Sequence, residues 1–227
     1  WETAAGSPSG RSLTHAVGTP KMVRVSTPGG DQSVVRFDGR SALWQASASW
    51  GSLVGERTVV IYLRLAPNAN GFLFDGSTNS GMTRARVRDG KWQAGVQAPP
   101  IKNADLADAD THEPKAGEWQ VHAFTFKKTA KGTDVAHYLG DETKAVRVEA
   151  TSPLGGFILG ANVATKLGLA CDVAEVIVYD RAVDAPERNA VAEYLKERRQ
   201  ASERRIGKLR EQAKLRIIQA LRGVNRA

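Results

Sequence analysis

Between residues 21 and 180 the apolar residues fall in short runs, and inside the runs they alternate with polar ones. The clearest run is 58–65, where Val59, Ile61, Leu63 and Leu65 share one side of an extended chain and Val60, Tyr62 and Arg64 the other. Gly, Asn, Asp and Pro punctuate the runs, and Asp89-Gly90 is the signal of a two-residue hairpin between 82–88 and 91–95. The pattern predicts strands over 21–26, 33–37, 42–45, 57–65, 71–74, 82–88, 91–95, 119–126, 135–139, 145–149, 156–160 and 172–179. Many short strands with no amphipathic helices between them predict an all-β antiparallel sandwich or barrel and argue against a parallel α/β sheet.

Three segments break the pattern. Residues 1–20, rich in Gly, Ser, Thr and Pro, read as an irregular lead-in. Residues 98–118, with Pro99-Pro100 and five acidic groups, read as a long surface excursion. Near residue 184 the period lengthens: Asp184-Ala-Pro-Glu187 is a capping-box-like helix start, and Val191, Tyr194 and Leu195 give a helical stripe. A polar joint follows, and then Ile206, Leu209, Ala213, Ile217, Ala220, Leu221 and Val224 recur at spacings of three and four, a basic amphipathic helix.

Charge sharpens that division. The net charge of +8 belongs to the tail, because residues 196–227 hold eleven Lys/Arg against three Glu, whereas the preceding residues carry 21 basic and 21 acidic groups. Electrostatic attraction to a partner is therefore an argument about the tail. No aromatic follows Tyr194, which argues against base stacking or insertion at a membrane interface, so neither nucleic acid nor a membrane is the expected partner. The expected use of the 199–227 helix is as a solvated link to a downstream segment or in self-association. The single cysteine, Cys171, forbids an internal disulfide. No apolar run is long enough to span a bilayer, and no signal peptide is visible. A chain that begins at Trp1 rather than Met is expected to be a fragment or processed form.

Catalytic patterns do not emerge. There is no Gly-x-Ser-x-Gly elbow, Walker loop or His-Glu-x-x-His, no pair of strand carboxylates, and no metal-ligand spacing among His15, His112, His122 and His137. Glu175 stands alone on its strand, and Asp105, Asp108 and Asp110 read as a solvated loop face. The best binding feature is Arg84, Arg86 and Arg88, at alternate positions of one strand and so on one sheet face, where guanidinium forks suit carboxylate or sulfate. Trp92, with Trp44, Trp50 and Trp119, offers a flat surface for a sugar ring; the competing role for each is the core.

Phe37-Asp38-Gly39, Phe74-Asp75-Gly76 with the Lys91-Trp92 hairpin and Gly117-Glu118-Trp119, and above all residues 171–182 followed by a helix ending Glu193-Tyr194-Leu195, resemble the laminin-G-like, concanavalin A-like jelly-roll domains of bacterial exported proteins. The resemblance covers about 21–198. It implies a two-sheet antiparallel jelly roll closed by a helix from about 185, with the 199–227 tail outside it. It also implies glycan or protein ligands on a sheet face or rim, and a structural calcium ion held by Asp38, the Gly39 carbonyl and Asp172. The expected function is a non-catalytic carbohydrate-binding or adhesion-type module of a secreted or cell-surface protein, with acidic polysaccharide as the candidate glycan. The alternatives are an assembly module using the tail, and a divergent polysaccharide-degrading enzyme.

Overall fold

The computed structural model describes residues 13, 15–27, 30–45, 52–53, 56–76, 82–97, 107–140, 142–148, 154–155, 157–162 and 164–195. The expected basic helix over 199–227 lies outside the described residues, as do Trp50 and residues 98–106 of the expected 98–118 excursion.

Two seven-stranded antiparallel sheets form the fold, a jelly-roll sandwich. Sheet 1 runs β1-β4-β15-β7-β8-β9-β10 and sheet 2 runs β13-β12-β11-β6-β16-β3-β2; β5 and β14 make a small two-stranded sheet. The strands of sheet 1 are β1 (His15–Val17), β4 (Ala42–Gln45), β15 (Phe157–Leu159), β7 (Gly71–Asp75), β8 (Met82–Arg88), β9 (Lys91–Gln97) and β10 (Ala107–Asp110). Those of sheet 2 are β13 (Glu142–Val148), β12 (Gly132–Leu139), β11 (Trp119–Thr129), β6 (Arg57–Leu65), β16 (Ala170–Tyr179), β3 (Gly30–Asp38) and β2 (Lys21–Thr27), while β5 is Ser52–Leu53 and β14 Leu154–Gly155. Four strands were not expected from the sequence, the short β5 and β14 among them. β1 lies inside the supposed lead-in, and β10 inside the supposed excursion, where it pairs with β9 from Ala107↔Val96 to Asp110↔Gln93.

Alternation decides the core. Val59, Ile61, Leu63 and Leu65 of β6 face sheet 1 and pack with Phe74, Phe124, Phe126 and Phe157, while Val60 and Tyr62 face outward. β6 is nevertheless buried on both faces, because a helix covers the outer one. This helix, α1 (residues 185–195), opens as its sequence requires: the Glu187 amide donates to Asp184 Oδ1 at 2.9 Å, an N-cap bond. Val191 and Leu195 set it against Val60, Tyr62 and Ala123, whereas Tyr194, expected on the same stripe, is half exposed. One bulge in β16, between Val173 and Glu175, shifts its register by a residue against β6. Without it Glu175 would follow Cys171 and Val173 into the core; with it Glu175 aligns with Tyr62 on the outer side, and Val176 and Val178 turn inward.

Candidate functional site

β8 alternates as expected, with Ala85 and Val87 entering the core. The three arginines on its other face do not form an open row. Arg84 and Arg86 are only 3% and 9% exposed, with guanidinium carbons 5.8 and 5.3 Å from the Phe72 ring centre. Arg86 Nε donates to Gln93 Oε1 at 2.9 Å, and Gln93 Nε2 donates on to Asp110 Oδ1 at 2.7 Å. Only Arg88 is exposed, beside Asp89 at 3.3 Å. Phe72 of β7 and Gln93 of β9 thus cover two of the three guanidiniums that the sequence offered to a ligand.

Trp92 needs a second correction. The two-residue turn pairs Arg88 with Lys91, so Trp92 opposes Val87 and shares its inward face. It is fully buried, with its ring centre 4.8 Å from that of His122 and 6.1 Å from that of Phe124. It is a core residue, not a platform for sugar.

Asp38, Asp172 and the Gly39 carbonyl are the groups that the resemblance assigns to calcium. Asp38 caps its own turn, accepting from the Arg40 amide at 2.9 Å. Asp172 sits on β16 opposite Arg36 of β3 and Arg64 of β6. It accepts from Arg36 Nε at 2.6 Å, Arg36 Nη2 at 3.0 Å and Arg64 Nη2 at 2.7 Å. Burial pushes its carboxyl up, but the hydrogen bonds from the two guanidiniums outweigh this and hold it below the usual range. Gly39 adopts φ +83°, and its carbonyl lies close against Gly168. Both Asp172 oxygens thus accept from guanidiniums.

The histidines, which showed no meaningful spacing in the sequence, come together. His122, His137 and His112 are 0%, 0% and 4% exposed. His122 Nδ1 lies 2.9 Å from His137 Nε2, His137 Nδ1 2.7 Å from Thr111 Oγ1, and His112 Nε2 3.1 Å from the His137 carbonyl. The His137 and His122 rings stack with Phe124, and Trp92 meets His137 edge-on. Burial, with the neighbouring His112 adding to it, lowers His122 to about 3; burial likewise lowers His137 well below the ordinary histidine value, with His122 and His112 contributing. Hairpin parity was the signal for part of this cluster. Phe124 pairs with His137 across β11–β12, which puts His122, two residues from Phe124, diagonally beside His137 on the same face. Among the described residues no group of three His, Cys, Asp or Glu is arranged to hold a metal.

His112 also reaches a groove of about 920 Å³ between α1 and the outer face of β11 and β12. Its floor is apolar, with Val60, Val121 and Ala123, and Tyr138 stands in it with the Arg188 guanidinium 3.5 Å from the ring centre. Gln120, Asn189, Lys115 and Lys144 bring donors to its walls. Lys91 donates to Glu113 at 2.7 Å, and His112 Nδ1 is 3.4 Å from Glu142 Oε2. No local pattern of residues announces this groove, which needs the helix docked on the sheet.

The fold places the chain among antiparallel β-sandwich modules. Domain 4 of AbnA, a GH43 extracellular arabinanase from Geobacillus stearothermophilus solved with arabinotriose, matches with a TM-score of 0.55 at 16% identity, over 78% of this chain and 87% of that one. The botulinum neurotoxin serotype G binding domain matches with a TM-score of 0.55 at 9% identity over 82% of this chain, which spans 47% of that structure. A GH54 α-L-arabinofuranosidase matches with a TM-score of 0.50 at 14% identity, over 75% of this chain and 42% of that one. At these identities the likeness is one of fold. No protein-family model matches the sequence, and no curated protein does. No described helix is long and apolar enough to cross a membrane.

Proposed function

We propose that the chain is a non-catalytic carbohydrate-binding module of a larger exported protein, of the laminin-G-like and concanavalin A-like kind, and that it takes an acidic oligosaccharide in the groove beside α1. The observation that carries this reading is the groove itself. It combines an apolar floor and one aromatic ring with side-chain amides and ammonium groups on its walls, the mixture that packs sugar C–H faces while hydrogen-bonding hydroxyls and carboxylates. Lys115 and Lys144 supply the preference for acid. Support for a binding rather than a catalytic role comes from His112, whose two ring nitrogens are both engaged, one at the His137 carbonyl and one at Glu142. Further support comes from the sandwich neighbours, one of which was solved with an arabinan fragment.

Calorimetry with uronic-acid and neutral arabino-oligosaccharides tests the reading. The acidic ligand is expected to bind more tightly, and the Lys115→Ala/Lys144→Ala double variant to weaken it by about tenfold or more, since a hydrogen bond to a charged group contributes about 1.5–3 kcal/mol. Arg88→Ala, on the opposite sheet, is the control and should bind as the parent does. Equal loss in Arg88→Ala would move the site to sheet 1, and a preference for the neutral sugar would remove the acidic ligand.

Asp172 in this reading is an ion-pair residue rather than a calcium ligand. Millimolar calcium is expected to leave Tm unchanged. Asp172→Asn is expected to lower stability by about 1–3 kcal/mol, discounted from a fully buried pair because Arg36 and Arg64 are 48% and 28% exposed. A calcium-dependent rise in Tm that Asp172→Asn abolishes would restore the metal.

A further inference from the structure

The hydrogen bonds around the three histidines have a direction, and they end at the groove. The Thr111 hydroxyl donates its one proton to the Trp92 carbonyl at 3.1 Å, so Thr111 Oγ1 accepts from His137 Nδ1. His137 Nε2 is then a lone pair that accepts from His122 Nδ1. His112 Nε2 must carry a proton as well, because its partner is the His137 carbonyl, which can only accept. A neutral His112 therefore has its lone pair on Nδ1. That lone pair would face the Glu142 carboxylate at 3.4 Å, acceptor against acceptor. Only the imidazolium makes both contacts attractive.

We propose that His112 and Glu142 form a proton-operated latch on the groove wall, so that the site is regulated by pH. The two partners differ in freedom. The His112 side chain is 3% exposed and its ring is held by the His137 carbonyl, whereas the Glu142 side chain is 76% exposed at the start of β13. When His112 is charged, Glu142 is neutralised and held at the wall. When His112 loses its proton, Glu142 swings away carrying an unpaired charge into a groove that otherwise attracts anions. Acid therefore closes the latch and strengthens binding of an acidic ligand, and base does the reverse.

The remaining charged and titratable groups around His112 do not reverse this sign. Glu113, on the same segment, is held by Lys91 of β9. Lys115 and, on β13, Lys144 are the ligand donors, and α1 contributes Arg188, seated over Tyr138 of β12, and Glu193. His122 of β11 and His137 of β12 are held neutral by their burial.

The regulation rests on the glycan reading of the groove, but the latch can be read without ligand. Nitrogen NMR of the ring atoms is expected to show His112 carrying both ring protons at the acid end of a pH series and losing the Nδ1 proton as pH rises, while His122 and His137 stay neutral. In Glu142→Gln that proton should leave at lower pH. Affinity for a uronic-acid oligosaccharide should fall about fivefold between about pH 6 and pH 8 in the parent, the size of one exposed charge contact, and stay flat in Glu142→Gln. A His112 titration indifferent to Glu142→Gln overturns the latch. Affinity that changes with pH equally in both proteins overturns its control of the groove. No binding at any pH, with the His112 titration still responding to Glu142→Gln, removes the glycan reading and leaves the latch standing.

Discussion

Lowering the pH from 7 to 5 is expected to destabilise the sandwich by about 2 kcal/mol through His122 alone, with His137 adding to the loss. Both rings sit in the core, neutral and joined by a hydrogen bond. Protonating His122 would place an N–H at Nε2, which has no hydrogen-bond partner among the described residues. Protonating His137 at Nε2 would set that new N–H against the N–H of His122. The folded pKa of each is therefore depressed, to about 3 for His122. Stability is fully present above the unfolded value near 6.5 and is lost as pH falls from there toward the folded value. At about 2–4 °C per kcal/mol for a domain of this size, the His122 share lowers Tm by about 4–8 °C at pH 5. Asp172, also depressed, acts lower, losing its contribution only below the ordinary carboxylate range, so the interval from about pH 6.5 to 4.5 isolates the histidines. Urea unfolding at a series of pH values reads the slope directly. His122→Gln should flatten it whatever its effect on stability at pH 7, and a parent protein equally stable at both pH values would show that the histidines are not neutral in the core.

Trp92→Ala is expected to cost about 3–5 kcal/mol, the range for emptying a large aromatic site in a core. The residue is fully buried and touches the His122, His137 and Phe124 rings, so its loss leaves both a cavity and a poorly supported histidine chain. Trp92→Phe keeps most of the packing and should cost markedly less. Neither change should alter glycan affinity in protein that is still folded. A Trp92→Ala protein within about 0.5 kcal/mol of the parent, the range of a surface change, would place Trp92 outside the core.

What could be read from the sequence was whatever the strand period controls. The 57–65 run became β6 with its two faces as expected, and the Asp89-Gly90 turn joined β8 to β9 as its residue types require. The start of α1 was legible because Asp184 and Glu187 stand at capping positions. Other features depended on partners that no local pattern names. The arginines of β8 alternate as predicted, but Phe72 and Gln93, brought alongside by β7 and β9, determine that two of them are covered. Trp92 was misread although parity from the hairpin assigns it to the core. An aromatic beside a row of cations suggests a sugar site only when the face is left uncounted. His112 reaches His137 through the non-local pairing of the 111–112 backbone with Trp92, which spacing in the chain cannot show.

The position of β16 has a consequence for how the molecule comes into being. This strand is the last among the described residues, yet it lies inside sheet 2, between β6 and β3. While a ribosome is still making residues before Ala170, β6 and β3 have no neighbour to join them, and α1, which follows β16, has no finished surface to dock on. Assembly is therefore a late event that draws together segments more than a hundred residues apart, as with Arg36 and Asp172. Folds dominated by such distant pairings form slowly. Until residues 170–179 have been made, sheet 2 is split into two parts that only β16 can join.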